Sequence, residues 1–408
     1  MPSTRSLVAV GATIGQALAN AVPANAVPKY AQIVDQKSFN VLPVVPPAVE
    51  FNGTTRQPFI WPGTTAESLL AKPFHIYDPE FYDVIGTDPS LTTIATSPSD
   101  PLFHEAVTWY PPTNEVFFVQ NAGPPAAGTG LKKSAIIQKV AIADAEKVRK
   151  GTLKSAPISI VNTSNPQIIN PNGATMHKGQ LIFAGEGQGA SVPSALYVMD
   201  PTPPYKTTTL LNNFFGRQFS SLNDLIVHPV NGDLYFTDTI YGYVQAFRPY
   251  PGIQQQVYRY NFNTGATTVV ADGMTHPNGI AFSPDGKKAY VTDSGIANAN
   301  YGLNLTAPAS VYSFDVTPDG TFNNRQTFAF TPSFIPDGIK NDSKGRVYVS
   351  CGDGVWVYNA AAKLIGKIYT GMTASNFQFA GNGRMIIMGE TKLFYATFSA
   401  STTGTAVQ

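Results

Sequence analysis

The sequence predicts an all-β fold, and more narrowly a six-bladed β-propeller. Its 408 residues include 25 Phe and 19 Tyr, which favour strands, and 35 Gly and 33 Pro, which favour tight turns. Charged residues make up only 13% of the chain and the net charge is +1, so the sequence lacks the basic surface of a nucleic-acid-binding protein. The third observation is an internal repeat, and it predicts the number of blades.

A strand-forming unit recurs six times. Each copy opens on a turn residue, continues as a β-branched or aromatic run, and stops at a small or acidic residue. The copies begin at Asn114, Gly179, Gly232, Gly286, Gly345 and Gly383. Most are separated by 53 to 65 residues, enough for a four-stranded blade. The last copy has room for only about three strands, so we expect an N-terminal strand near 91–96 to complete the ring and cover the open sheet edge. One short helix is predicted, at 142–150.

The repeat also divides the chain. We expect the propeller at 91–400, an N-terminal extension at 27–90 that packs on it, and a C-terminal tail at 401–408. Residues 1–26 are interpreted as a secretory signal peptide, because Arg5 precedes a short apolar run followed by small-x-small triplets. A disordered tail is the alternative. The run is too short to span a membrane.

Two further features bear on the compartment. The single cysteine, Cys351, excludes an intramolecular disulfide and a cysteine-based metal cluster. Four N-x-S/T triplets occur, and they modestly support a secreted glycoprotein. We therefore predict an extracellular protein with no membrane anchor and no nucleic-acid partner, and we leave a homodimer open.

Each blade carries an oxygen-bearing side chain seven to nine residues before its repeat unit. These side chains belong to Glu105, Asn172, Asn223, Asn278, Asp337 and Asn376. If this phase begins the innermost strand of each blade, all six point at a central tunnel. Two carboxylates with amide oxygens form a hard, oxygen-only set that suits Ca²⁺ better than Zn²⁺ or Cu²⁺. The alternative is ordinary turn chemistry, because Asn and Asp often precede Gly in turns.

The same residues resemble the senescence marker protein/gluconolactonase family. The likeness rests on Asn223-Asp with Tyr235-Phe-Thr-Asp, and on Asn278-Gly-Ile-Ala-Phe-Ser-Pro-Asp-Gly. Stretches such as Lys72-PFHIYDPEFYDVIG and Phe183-AGEGQG resemble more closely the fungal secreted lactonohydrolases that act on aldonate lactones and pantolactone. The likeness runs from about residue 30 to 398. It implies a six-bladed propeller with Ca²⁺ on its axis, held by Glu105, Asn223, Asn278 and Asp337.

The resemblance also implies an activity, the Ca²⁺-dependent hydrolysis of a lactone by a carboxylic ester hydrolase. Calcium can polarise the carbonyl, but it lowers the pKa of water less than zinc does, so a general base is expected. Asp337 is the first candidate for that base, although a metal-bound carboxylate is a weak base. His104 is the second, and it needs a bulge or a strand end to face the same cavity as its neighbour Glu105. The predicted substrate contacts are Asn172, Asn376 and Trp109.

Two other functions fit the same pattern. One is a non-catalytic propeller that is stabilised by calcium and binds a small polar ligand. The other is an arylesterase or paraoxonase-like hydrolase, although paraoxonase has His-Gly where this chain has Asn172-Gly173. Four acidic residues end the second strand of their blades and are interpreted mainly as turn and ladder hydrogen-bonders, with loop contacts near the tunnel as the alternative. They are Glu186, Asp238, Asp293 and Glu390.

Overall fold

The computed structural model describes residues 27–45, 60 and 63–405, so the predicted signal peptide lies outside the described residues. Six antiparallel sheets are arranged as the blades of a propeller, which confirms the predicted fold. Each repeat unit identified in the sequence runs into the second strand of its sheet. The repeat therefore reports one fixed position within every blade.

The chain before the first repeat forms short elements at the edge of the propeller. They are β1 (Ala31–Ile33), α1 (Ala66–Ala71), β2 (Phe74–Ile76), α2 (Phe81–Ile85) and β3 (Ser90–Thr96). A short 3₁₀ helix, Gln36–Phe39, follows β1. Helix α1 begins with a reciprocal capping box, in which the side chains of Thr65 and Ser68 each bond the other's backbone N–H.

The first three blades run from the innermost to the outermost strand. Blade one comprises β4 (Glu105–Tyr110), β5 (Glu115–Val119), β6 (Ile137–Ala141), then α3 (Ile142–Arg149) and β7 (Ser159–Val161). Blade two comprises β8 (Pro171–His177), β9 (Gln180–Gly185), β10 (Ala195–Met199) and β11 (Thr207–Leu211). Blade three comprises β12 (Leu222–Val227), β13 (Leu234–Asp238), then α4 (Tyr241–Val244), β14 (Gln256–Tyr260) and β15 (Thr267–Ala271). The predicted helix is thus present as α3.

The last three blades follow the same plan. Blade four comprises β16 (Pro277–Phe282), β17 (Lys288–Asp293), the 3₁₀ helix Ala299–Tyr301, β18 (Ser310–Val316) and β19 (Phe322–Phe330). Blade five comprises β20 (Ile339–Asn341), β21 (Val347–Cys351), β22 (Gly354–Tyr358) and β23 (Leu364–Tyr369). Blade six comprises β24 (Asn376–Phe379), β25 (Arg384–Gly389) and β26 (Lys392–Thr397).

The N-terminal strands are added to blades five and six. Strand β3 runs antiparallel beside β26 and is the fourth strand of blade six. Strand β2 pairs with β23, and β1 pairs in parallel with β2, so blade five is a six-stranded sheet. Both additions pair the backbone of strands that would otherwise be sheet edges.

The six inner strands contact one another in ring order, and β24 contacts β4 to complete the circle. Hydroxyl groups link neighbouring blades at this ring: Thr237 donates to the carbonyl of Asn278, Thr292 to that of Asp337, and Ser375 to that of His104. The apolar core lies between adjacent sheets, with inner strands buried and the outermost strand β19 largely exposed. No helix within residues 27–45, 60 and 63–405 is long and apolar enough to cross a membrane.

Candidate functional site

A cavity of about 540 Å³ lies at the end of the ring where the inner strands begin. Inner strands bring polar side chains from blades one to five to its wall, and the loops after the second strands complete it. The polar lining residues include His104, Glu105, Asn121, Asn172, Asn223, Tyr241, Asn278, Asp337 and Glu390. Five of the six predicted ring residues therefore lie in one cavity, and so does His104.

Backbone bulges aim the three asparagines at this cavity. In β8, β12 and β16 two consecutive residues lie opposite a single residue of the next strand. Those pairs are Asn172-Gly173, Asn223-Asp224 and Asn278-Gly279. A bulge bends its strand and re-aims one side chain, and here it does so at the same place in three blades.

The glycines after these residues are not turn residues. A Cβ on Gly173 would lie 2.1 Å from the carbonyl oxygen of Asn223, and one on Gly279 would lie 2.4 Å from that of Asp337. The next blade's backbone therefore passes too close for any larger residue. The alternative interpretation of Asn-Gly as ordinary turns is wrong at Asn172 and Asn278, because both lie within strands β8 and β16.

The residues predicted to hold calcium include two buried carboxyl groups with raised pKa values and an amide oxygen without a hydrogen-bond partner among the described residues. Burial raises the pKa of Glu105 well above its usual range, and the neighbouring carboxylate of Asp337 raises it further. Burial likewise raises the pKa of Asp337 to about 7. The side-chain oxygen of Asn223 is buried and has no hydrogen-bond partner among the described residues. Two repelling carboxylates and an unpaired amide oxygen suit a divalent, oxygen-seeking cation.

Asn278 fits the same set. Its side chain lines the cavity, its amide group donates to the hydroxyl of Ser294 at 3.1 Å, and a hydrogen bond from Asn278 lowers the pKa of the adjacent Asp337 carboxyl group against the effect of burial. Over the part of the chain that the structure describes, no group of three or more His, Cys, Asp or Glu side chains could hold a metal. A metal here would therefore depend on amide oxygens as well as carboxylates, which favours calcium over zinc.

His104 faces the cavity because β4 begins after it. Its backbone lies just outside the strand that starts at Glu105, and Ala106 follows with a positive φ of 53°. Strand β4 also has a register shift between Glu105 and Thr108, and this bulge together with the strand end places His104 and Glu105 on the same cavity, although they are adjacent in sequence. This is the local arrangement that a functional role for His104 requires.

A histidine–carboxylate pair forms on this wall. His104 Nδ1 donates to Glu390 Oε1 at 2.8 Å, because an ionised carboxylate can only accept. The Asn121 amide donates to Glu390 Oε2 at 3.4 Å. Burial lowers the pKa of His104, but the carboxylate of Glu390 more than offsets this and the pKa is raised. With Nδ1 held, Nε2 is the ring nitrogen left for chemistry in the cavity.

Glu390 reaches this position through a strained turn. It follows β25 with a positive φ of 61°, and its backbone forms a bridge with Phe103, next to His104. Positive φ is costly for a residue with a side chain, and such strain concentrates at functional sites. The sequence grouped Glu390 with ordinary strand-ending acids, so its contact with His104 was missed.

The other three strand-ending acids do bond the chain beside them. Asp238 accepts from the backbone N–H groups of Ser220 and Ser221, at 3.0 and 2.7 Å. Asp293 accepts from the backbone N–H groups of Thr275 and His276, at 2.9 and 2.8 Å. Glu186 accepts from the Ser221 hydroxyl at 2.6 Å. Asp238, Asp293 and Glu186 thus fix the segments that lead into inner strands.

The structure places two predicted substrate contacts elsewhere. Asn376 does not line the cavity, because its amide donates to Glu105 Oε2 at 2.6 Å and so holds that carboxylate. Trp109 also lies outside the lining. Its indole N–H donates to Asn114 at 3.1 Å, and its ring packs against the apolar core between blades one and six. These two placements correct the sequence prediction.

Two further lining residues carry unmet hydrogen-bonding capacity. The side-chain oxygen of Asn172, predicted as a substrate contact, is buried with no partner among the described residues. The same holds for the hydroxyl of Tyr241, which opens helix α4. Tyr241 could not be identified from the sequence, because α4 is too short to show a helical pattern.

Comparison with known proteins gives a consistent family. The model of the SMP-30/gluconolactonase/LRE-like region matches residues 105–388. Lactonohydrolase oryL of Aspergillus oryzae is 30% identical over 307 residues, which cover 69% of this chain and 64% of oryL.

Solved structures share the fold at low sequence identity. A gluconolactonase from Xanthomonas campestris is 22% identical, with a TM-score of 0.61 over 80% of this chain and 94% of its own. Regucalcin from Agrobacterium tumefaciens, a calcium-binding protein, is 13% identical, with a TM-score of 0.52 over 78% and 96%. The family match spans the inner strand of blade one to the second strand of blade six, and the chain belongs to the SMP-30/gluconolactonase family.

Proposed function

We propose that this protein is a calcium-dependent lactonase, a carboxylic ester hydrolase that opens aldonate-type or pantolactone-like rings. The observation that carries the proposal is one cavity that combines an oxygen-only cation set with a histidine–carboxylate pair. The names of similar proteins support it: oryL is a lactonohydrolase, the Xanthomonas protein a gluconolactonase, and regucalcin a calcium-binding protein.

Glu105, Asn223, Asn278 and Asp337 would hold the calcium ion. When bound, calcium polarises the lactone carbonyl and stabilises the negative charge that develops on its oxygen. Asn376 keeps the Glu105 carboxylate in place through its 2.6 Å hydrogen bond. This hydrogen bond therefore orients the Glu105 carboxylate before any substrate binds.

His104 is the general base in this proposal. Its Nε2 takes a proton from the attacking water, whose oxygen forms a bond to the carbonyl carbon. The ring C–O bond then breaks, and the same proton passes to the leaving ring oxygen, so the product is one hydroxy acid. Glu390 positions the imidazole and stabilises its protonated form. Asp337 is the weaker candidate for the base, because a carboxylate that binds a metal has little basicity left.

Tyr241 and Asn172 are the proposed substrate contacts. The unpaired Tyr241 hydroxyl can donate to an oxygen of the lactone, and the unpaired Asn172 carbonyl can accept from a substrate hydroxyl. A polar wall of this kind suits a hydroxylated lactone better than an apolar ester. We further propose that the protein is secreted, on the evidence of its first 26 residues, which lie outside the described residues.

The decisive experiment is a pH-stat assay of glucono-1,5-lactone and pantolactone hydrolysis, before and after calcium is removed with chelator. We expect acid release that stops on chelation and returns with added Ca²⁺, while circular dichroism shows a folded protein throughout. Activity that persists in the folded, calcium-free protein would refute the metal dependence. A wild type that opens no lactone, and whose melting temperature alone responds to calcium, would establish the non-catalytic binding protein instead. Preferential hydrolysis of phenyl acetate would indicate an arylesterase.

A further inference from the structure

Two exposed tyrosines and a half-buried one form a cluster beside the cavity, and the proposed chemistry uses none of them. We call Tyr243, Tyr250 and Tyr301 the tyrosine ladder. The rings of Tyr243 and Tyr301 are nearly parallel, with centroids 5.8 Å apart and 19° between their planes. Tyr250 meets Tyr243 edge-on, with centroids 5.2 Å apart. The side chains of Tyr250 and Tyr301 are 74% and 64% exposed, so the ladder is a contiguous aromatic surface in solvent.

The ladder lies on two elements that also supply lining residues of the cavity. On helix α4, Tyr243 lies between Tyr241 and Gln245, both of which line the cavity. On the 3₁₀ helix of blade four, Tyr301 lies between Ala299 and Gly302, which also line it. The two helices contact each other directly. The ladder therefore lies next to the cavity lining on the side of blades three and four.

The chemistry of the ladder favours an uncharged ring. Residues 241–247 and 296–307 contain no Asp, Glu, Lys or Arg; the first segment has two Tyr and one Gln, and the second has one Tyr and three Asn. Tyrosine offers a rigid apolar face together with a hydroxyl that hydrogen-bonds at its edge. A sugar ring has the matching surfaces, with C–H groups on its face and hydroxyls around its rim. The cavity, at about 540 Å³, is in the size range that holds drug-sized ligands and exceeds the needs of one lactone ring.

We propose that the tyrosine ladder is a subsite for a second sugar ring, so that the preferred substrate is the lactone of a disaccharide acid. This inference rests on the proposed lactonase function and narrows its substrate class. The lactone ring occupies the cavity, and the glycosyl group extends over the rim formed by helix α4 and the 3₁₀ helix to lie against Tyr243 and Tyr301. The subsite adds binding energy remote from the reacting carbon, which raises kcat/KM for the larger substrate.

The test compares two lactones with the same reacting ring, glucono-1,5-lactone and lactobiono-1,5-lactone, the second of which carries a galactosyl group. The readout is the ratio of kcat/KM for the disaccharide lactone to that for the monosaccharide lactone. We expect a ratio of about ten in the wild type, the size of effect that one or two aromatic contacts produce. Tyr243→Ala and Tyr301→Ala should each bring the ratio close to one. Phe215→Ala is the matched control, because Phe215 is 88% exposed and has no lining residue beside it in sequence.

A wild-type ratio near one, or a ratio that the two tyrosine variants leave unchanged, would overturn the subsite while leaving the lactonase intact. Loss of dihydrocoumarin hydrolysis in those variants, without a change in the ratio, would assign the ladder to aryl groups and overturn the sugar proposal. A wild-type dimer that Tyr301→Ala converts to a monomer would assign it to self-association. If the wild type opens no lactone, the proposed function fails, and calorimetry with lactobionate decides the subsite: binding lost in Tyr301→Ala supports it, and no binding overturns it.

Discussion

Two sides of the cavity use the same position of the repeat for different purposes. On the side of blades three and four, Asp238 and Asp293 end their second strands and accept backbone hydrogen bonds that fix the start of an inner strand. On the side of blades six and one, Glu390 follows its second strand at φ 61° and holds His104 in the cavity. The repeat sets where an acidic residue lies, but the local backbone decides whether it supports the fold or the chemistry.

The largest effect on activity is expected from substitution of Glu105 and Asp337, the two carboxylates that line the cavity between these sides. Glu105→Gln and Asp337→Asn each remove one charge from the proposed calcium set while keeping the side-chain shape. We expect kcat/KM for lactones to fall by at least about 10³-fold, in line with the loss of a metal or an oxyanion-stabilising group. Calcium affinity, measured by calorimetry, should fall in both variants.

Asp272→Asn is the control for this pair, because Asp272 is exposed and lies outside the cavity. It should match the wild type in both measurements. Wild-type turnover in Asp337→Asn would remove Asp337 from the mechanism. Wild-type calcium affinity in Glu105→Gln would remove Glu105 from the metal set.

Substitution of Glu390 and of Asp238 should have opposite effects on catalysis and on stability. Glu390→Gln should lower kcat by roughly 10²-fold with little change in KM, because the imidazole loses the partner that orients it and stabilises its protonated form. Its melting temperature should stay near that of the wild type. Asp238→Asn should do the reverse, because an amide replaces an acceptor of two backbone N–H groups, at a cost of about 1–3 kcal/mol of unfolding free energy.

Enzyme kinetics and thermal melts on both variants measure this contrast. The comparison would break if the two substitutions lowered kcat equally at equal stability. It would also break if Glu390→Gln acted only through the melting temperature, because Glu390 would then be a structural acid like Asp238.

The surroundings of two histidines, His75 and His104, shift their pKa values in opposite directions. Burial and, to a smaller extent, the nearby ammonium of Lys367 lower the pKa of His75 to about 4, whereas the pKa of His104 is raised by Glu390. The unfolded chain binds a proton at His75 near pH 6.5, so the stability contribution is complete above that pH and is lost as pH falls towards about 4. The loss should approach roughly 3 kcal/mol.

Urea unfolding of the wild type and His75→Gln between pH 7 and 4 measures this effect. We expect the two curves to converge as the pH falls, because the variant lacks the titrating ring. Parallel curves over the whole range would show that the His75 ring does not titrate differently in the two states.

The smallest expected effect concerns the close approach of neighbouring blades. Gly279→Ala places a Cβ 2.4 Å from the carbonyl oxygen of Asp337, so the chain that carries this carboxylate must shift. Overpacking of this kind costs about 1–3 kcal/mol. Gly252→Ala is the matched control, because a Cβ there meets nothing within 4 Å and the φ needs no glycine. Thermal melts and calcium calorimetry should separate the two, and equal behaviour would contradict the need for glycine at 279.

Much of the site could be predicted from the sequence because a propeller repeats its geometry. A residue at one phase of every blade lies at one height on one axis, which is why Glu105, Asn172, Asn223, Asn278 and Asp337 lie together. The repeat could not reveal that Asn376 turns to hold Glu105, since that hydrogen bond joins blades six and one, far apart in sequence. Trp109 was misassigned because residues four apart share a face in a regular strand, whereas β4 has a register shift between Glu105 and Thr108 that reverses the alternation.

By itself the sequence determined the all-β class, the six blades and the set of oxygen-bearing side chains at one phase of the repeat, because strand periodicity and turn residues are local and recur. Only the tertiary structure decided which acids act at the cavity and which support strands. The pairing of His104 with Glu390, the unpaired hydroxyl of Tyr241 and the bulges that turn the asparagines inward depend on contacts between chain segments far apart in sequence. Those contacts form only when the ring of blades brings the segments together, so no local pattern encodes them.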